Sequence, residues 1–192
     1  MRFLLAETQF VLEHALGEST SAEPLLAAAE TGKIRLVLPV FCLFEAETKL
    51  RRERPDREGE ASRLDKFAQE LGRKQGDRKR VEVLMGAAQE LRQIQDDRER
   101  GLKQTTERLM NCAELEPLLA EDVAVASEFA RKLSRGDPWV AAVIKRSFER
   151  LQGERLFLTK DKSFSEDLKR SVVGLEVCLA SAGVLQRWSL TA

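Results

Sequence analysis

The sequence predicts an α/β domain with a mainly parallel central sheet flanked by helices, and a helical hairpin inserted into it. Three observations carry this expectation. Short apolar runs, "RFLLAE", "IRLVLP" and "RLFLT", alternate with stretches whose apolar residues recur every three or four positions. Within the runs the apolar residues are consecutive, as in strands buried on both faces. Between residues 56 and 110 the composition turns to dense charge with a thin apolar stripe, the mark of amphipathic helices.

In chain order, residues 2–7 form a first strand ending in an acid, Glu7. Phe10, Val11 and Leu16 follow on a helical period, with Gly17 as the stop. Ser21 is placed to cap a helix over 22–31 that ends at Gly32. "IRLVLP" has high β propensity and forms the second strand. A helix then runs through "VFCLFEAETKLRRER" until Pro55. The charged stretch carries Leu64, Phe67 and Leu71, then Val81, Leu84, Leu91 and Ile94, on a narrow stripe. Gly72 and Gly76 mark a break between its two helices. In residues 121–133, Val123, Ala126, Phe129 and Leu133 share a helical face. At "SRGDPW" Gly136 breaks the chain, Asp137 fits an N-cap and Pro138 the first helical position. A strand at 155–159, a last one within 174–181 and a short terminal helix complete the reading.

With 192 residues, 43% hydrophobic and 33% charged, the chain suits one domain spanning 1–192, with residues 56–110 as an insertion within it. Lysine plus arginine balances aspartate plus glutamate at 32 each, so net charge votes neither for nor against a nucleic-acid partner. Cys42, Cys112 and Cys178 are odd in number and far apart, unlike a disulfide frame or a zinc site, and a reducing cytoplasmic setting is expected. The opening apolar run is broken at Glu7, unlike a signal peptide, and no run reaches membrane-spanning length. Tyrosine is absent and His14 is the single histidine, which leaves little for histidine-based catalysis.

Carboxylates gather where an open parallel sheet forms its sites, at the carboxyl ends of strands. Glu7 ends the first strand and Asp161 follows the strand at 155–159. Glu45 lies on the helix after the second strand, and Asp137 at a helix start. Each acid has an ordinary reading as turn, cap or solvated face; the four together point to a shared acidic site. Thr8 and Thr159 stand beside two of them as supporting hydroxyls. The basic stretch "RKQGDRKR" offers Arg78, Lys79 and Arg80 for phosphate contact, against a plain reading as a solvated helix end.

These four motifs, in this order, resemble the PIN-domain nucleases. The relevant segments are "LLAETQFVL", "LVLPVFCLFEAE", "GDPWVAAVI" and "LFLTKDKSF", and the likeness covers residues 1–52 and 115–185. The resemblance implies a three-layer fold and hydrolysis of phosphodiester bonds, in RNA above all. It also implies Mg²⁺ or Mn²⁺ held by Glu7, Glu45, Asp137 and Asp161 as the catalytic, metal-holding set. Where the family has Asp and Asn, this chain has Glu7 and Gln9, each one methylene longer. That departure motivates the alternative reading: a PIN-type module with a weakened site, binding nucleic acid or a partner protein. Ser163 stands where some members carry a further acid, which favours one metal over two. Many small members resemble toxins of toxin–antitoxin pairs and form dimers. The insertion is larger than such toxins carry, and its stripe leaves a homodimer and a protein partner both open.

Overall fold

The computed structural model describes residues 1–73, 78–133 and 136–190. Five strands form one sheet: β1 (Arg2–Ala6), β2 (Arg35–Pro39), β3 (Glu114–Glu116), β4 (Glu154–Leu158) and β5 (Glu176–Cys178). Their order is β3-β2-β1-β4-β5 and all four pairings are parallel. The central strands are apolar without alternation because both faces are covered: Leu4, Leu5 and Ala6 of β1 and Phe157 of β4 are fully buried. The expected α/β architecture with a parallel sheet is therefore what the chain adopts.

The helices between strands are α1 (Thr8–Ala15), α2 (Ala22–Glu30), α3 (Phe41–Arg73), α4 (Arg78–Cys112), α5 (Ala120–Lys132), α6 (Pro138–Arg150) and α7 (Lys162–Ser171), with α8 (Ser181–Trp188) last. The chain moves outward from β1 through β2 to β3, then returns across β1 to β4. Right-handed crossovers put the helices of these two excursions on opposite faces, giving three layers. In agreement, α1 packs with α2, α3 and α4, and α5 packs with α6. The reversal makes a topological switch point between β1 and β4, the place where open α/β sheets form their sites.

Several local expectations change. The helix expected to stop at Pro55 runs on to Arg73. Pro55 and Arg51 are both exposed, so the Arg51 carbonyl, denied its usual donor, faces water. Ser21 precedes α2 but makes no capping hydrogen bond with its side chain. Gly72 lies inside α3 and does not break it, while Gly76 falls outside the described residues. Strand β3 and helix α7 are additions to the sequence reading. β3 is only "ELE", and its acids are answered from α6: Arg150 meets Glu114 at 2.5 Å and also Glu116, and Arg146 meets Glu116 at 3.2 Å.

The α3–α4 hairpin has two halves. Near the sheet, Leu43, Ala46 and Leu50 of α3 and Leu102 and Leu109 of α4 join the main core. Farther out the seam is made of small residues: Ala61, Ala68 and Ala88 are buried, with Leu64, Leu71, Val81, Leu84 and Leu91 half-buried between them. Spacings of three and four keep this seam on one side of each helix. Phe67 and Ile94, expected on the stripe, are exposed instead. Where the halves meet, Gln95 is buried, accepts from Arg57 at 2.6 Å and donates to Glu99 at 2.8 Å.

Candidate functional site

Glu7 is the residue after β1, and its backbone is extended rather than helical. This makes it the N-cap of α1: its Oε2 accepts from the Gln9 amide at 3.3 Å. Its other oxygen, Oε1, accepts from the Thr159 hydroxyl at 3.0 Å, a bond that ties the end of β1 to the end of β4. Thr159 is buried and also accepts from the Asp161 amide at 3.1 Å, which shapes the turn into α7. The Thr8 hydroxyl donates to Glu45 on α3. Thr8 and Thr159, expected beside the acids, thus each hold one of them.

Asp137 caps α6, accepting from the Trp139 amide at 2.7 Å and the Val140 amide at 3.4 Å, with Pro138 at the first helical position as expected. Asp161 caps α7, accepting from the Phe164 amide at 2.9 Å. The starts of these two helices touch through Gly136. A Cβ there would lie 2.3 Å from the Phe164 ring, and φ is +94°, so side-chain-free backbone is required on both counts.

Burial pushes the Glu7 carboxyl above its ordinary value, and the nearby charges of Glu45 and Asp161 push the same way. The Gln9 amide and the Thr159 hydroxyl pull it back in part. Cys42, fully buried beside Thr8, is pushed up to about 12, chiefly by burial and further by Glu45 and Glu7. Its thiol stays protonated and is a poor nucleophile.

Glu7 therefore senses the charges of Glu45 and Asp161 at the switch point, and the Gly136–Phe164 contact brings the start of α6 against the start of α7. Both Glu7 oxygens are engaged, whereas Glu45, Asp137 and Asp161 each keep one oxygen without a hydrogen bond among the described residues. All four donors are hard oxygens, the type Mg²⁺ and Mn²⁺ take. Among the described residues, no three acid, histidine or cysteine side chains stand close enough together to hold an ion as placed. The donors suit such an ion in kind, and in their present rotamers they are spread apart.

Sequence reasoning did not pick out Glu13. It is buried on α1, accepts from the Ser181 hydroxyl at 3.0 Å and pairs with Lys160 at 2.5 Å. Lys160, read from sequence only as a neighbour of Asp161, is thereby drawn toward α1 and α8. The signal was an acid on the apolar side of α1, between Phe10 and Leu16.

Arg78, Lys79 and Arg80 open α4, whereas Leu102 in the core lies about 36 Å further along the helix at 1.5 Å per residue. They are not brought to the acids. Arg78 pairs with Glu82 at 3.1 Å, and Lys79 and Arg80 have partners of their own. His14 accepts or donates at Thr105 and Glu23, at 2.8 and 2.6 Å, in a structural cluster with Arg108. No helix among the described residues is long and apolar enough to cross a membrane. Comparison of the chain with protein-family models, curated proteins and solved structures finds no match.

Proposed function

We propose that this protein is a PIN-type, metal-dependent endonuclease that hydrolyses phosphodiester bonds, in RNA above all. The observation that carries the reading is that Glu7, tied to Thr159 at the end of β4, lies near enough to Glu45 and Asp161 to feel both charges. There each acid raises the cost of charging Glu7. A divalent cation relieves that repulsion. Glu45, Asp137 and Asp161 would hold it by their uncommitted oxygens, with Glu7 as the fourth acid. Mg²⁺ or Mn²⁺ held there would supply polarisation of a phosphate and a more acidic water. The chain's own part is placement. Thr159 and Gln9 fix Glu7, Thr8 fixes Glu45, and the helix amides at α6 and α7 fix Asp137 and Asp161. The free cysteines accord with a reducing, cytoplasmic setting.

The alternative, a PIN-type module that binds nucleic acid or a protein without cutting, is favoured by one observation. Both oxygens of the longer Glu7 are already held. Two measurements separate the readings. Millimolar Mn²⁺ or Mg²⁺ should raise the melting temperature, because binding to the folded state alone stabilises it. The same metals should support cleavage of a generic single-stranded RNA, and Asp161→Asn should abolish it. Absence of both effects removes the nuclease reading. Cleavage that survives Asp161→Asn removes the assigned site.

A further inference from the structure

The inner half of the α3–α4 hairpin leaves one side open. A groove of about 630 Å³ runs between the two helices, with Leu43, Leu50 and Leu102 in its floor. Those leucines belong to the main core, but Phe44 and Met110, which also line the groove, are each 65% exposed. Along α4 the lining takes in Glu99, Lys103, Thr106 and Met110, and along α3 Phe44, Glu47, Arg51 and Arg54. Each row is spaced by three and four, so each is one helical face. An apolar floor with a charged rim is the make-up of a protein interface. The rim also says what covers it. It sets three acids, Glu47, Glu99 and Glu107, against three bases, Arg51, Arg54 and Lys103. A balanced rim selects neither a polyanion nor a strongly charged peptide. Four of the six are answered within the chain: Glu47 pairs with Arg51 at 2.6 Å, and Glu99 with Arg54 at 3.3 Å. Lys103 and Glu107 are exposed and have no partner among the described residues. They lie one turn apart with lysine first, the poorer order for pairing within a helix. Across a two-fold axis the same order is self-complementary: in an antiparallel pair of such helices each lysine faces the other's glutamate.

We propose that this groove is the interface between two copies of the chain, related by a two-fold axis that crosses α4 between Lys103 and Glu107. Each Lys103 pairs with the partner's Glu107, so one contact is made twice. Phe44 and Met110 of both copies are taken out of water, which supplies the apolar part of the association. The α4 wall lies outside the segments that carry the PIN resemblance, so the base of the insertion is the assembly element of this chain. The α3 wall also carries Glu45, one residue after Phe44. The dimer therefore holds two acidic sites in one particle, and it stands independently of what those acids bind.

Sedimentation equilibrium of the full chain at micromolar concentrations tests this. The wild type should show twice the mass of one chain. Lys103→Glu surrounds the axis with acids alone and Glu107→Lys with bases alone, and each should weaken the dimer by at least about tenfold. The double variant Lys103→Glu/Glu107→Lys remakes both pairs with their signs reversed and should dimerise as the wild type does. Phe44→Ser should favour the monomer irrespective of salt. All three side chains are exposed, so circular dichroism should show the fold kept in every variant. A monomeric wild type would overturn the proposal and leave the groove to a different protein. A dimer that survives both single charge changes would also overturn it, by placing the interface on another face. So would a double variant that stays monomeric, because the reciprocal pairs would then not be what joins the copies.

Discussion

The inner and outer halves of the α3–α4 hairpin are made from the same two helices, yet different forces hold them. The inner half inserts leucines into the sheet's core: Leu50, Leu102 and Leu109 are all buried. The outer half buries alanines and leaves its leucines half in water. Burial of apolar area stabilises by about 25 cal/mol per Å², so an alanine seam contributes less than a leucine core and more of its hold comes from close backbone approach. Charge pairs such as Arg92–Asp65 at 2.5 Å decorate the outer half. Exposed pairs of that kind contribute at most about 1 kcal/mol. The lesson is that the insertion is anchored as part of the domain at its base and is self-supporting only marginally along its length.

The largest effect that sharpens this contrast is a truncation in each half. Leu109→Ala should cost about 2–5 kcal/mol in urea unfolding, the range for fully buried leucines. Leu84→Ala in the outer half should cost well under that, since its side chain is only half-buried. Equal losses would break the distinction. Next come two glycines on the same helix. A Cβ at Gly101 would lie 2.2 Å from the Ala15 carbonyl oxygen, backbone against backbone, whereas one at Gly86 meets nothing within 4 Å. Gly101→Ala should therefore destabilise by about 1–3 kcal/mol. Gly86→Ala should stabilise by about 0.5–1 kcal/mol through helix propensity. The same sign at both sites would show that α4 packs on α1 less tightly than described.

The smallest effect concerns the acidic end of the sheet, which the hairpin base adjoins. Glu7 has a carboxyl raised above its ordinary value, so the folded state holds the proton more tightly than the unfolded chain. Its contribution is fully favourable below the unfolded value of 4.5 and is lost as pH rises through the folded value. Glu7→Gln should thus raise the melting temperature at neutral pH, and the gain should vanish below about pH 4.5. A gain independent of pH would sever Glu7 from its charged neighbours.

Most of the sheet was legible in the sequence because its central strands are continuous apolar runs, and Asp137–Pro138 was legible because that cap is local. β3 was not, because "ELE" becomes a strand only by pairing with β2, and its acids are answered by Arg146 and Arg150, some 30 residues later in the chain. The seam was misread toward Phe67 and Ile94 because size suggests burial, while two helices in close contact select alanine. Of the candidate site, Glu7, Thr8, Glu45, Thr159 and Asp161 stood out by their positions after strands, and Asp137 by its helix start. Their partnerships did not: nothing in "AETQF" says that Glu7 reaches Thr159, or that Glu13, nearly two turns later, reaches Lys160. Arg57 and Gln95 lie far apart in sequence and meet only because the hairpin folds back.

That fold-back has a kinetic consequence. β2 ends at Pro39 and its neighbour β3 begins at Glu114, so an unstructured chain would have to close a long loop before the two could pair. The closure entropy grows only with the logarithm of length, but it must be met before any strand contact is made. Pairing of α3 with α4 replaces that single long closure with a series of short ones, and it delivers Glu114 beside Val37 as its last step. The edge of the sheet would then assemble at the pace of helix pairing rather than of a long-range search.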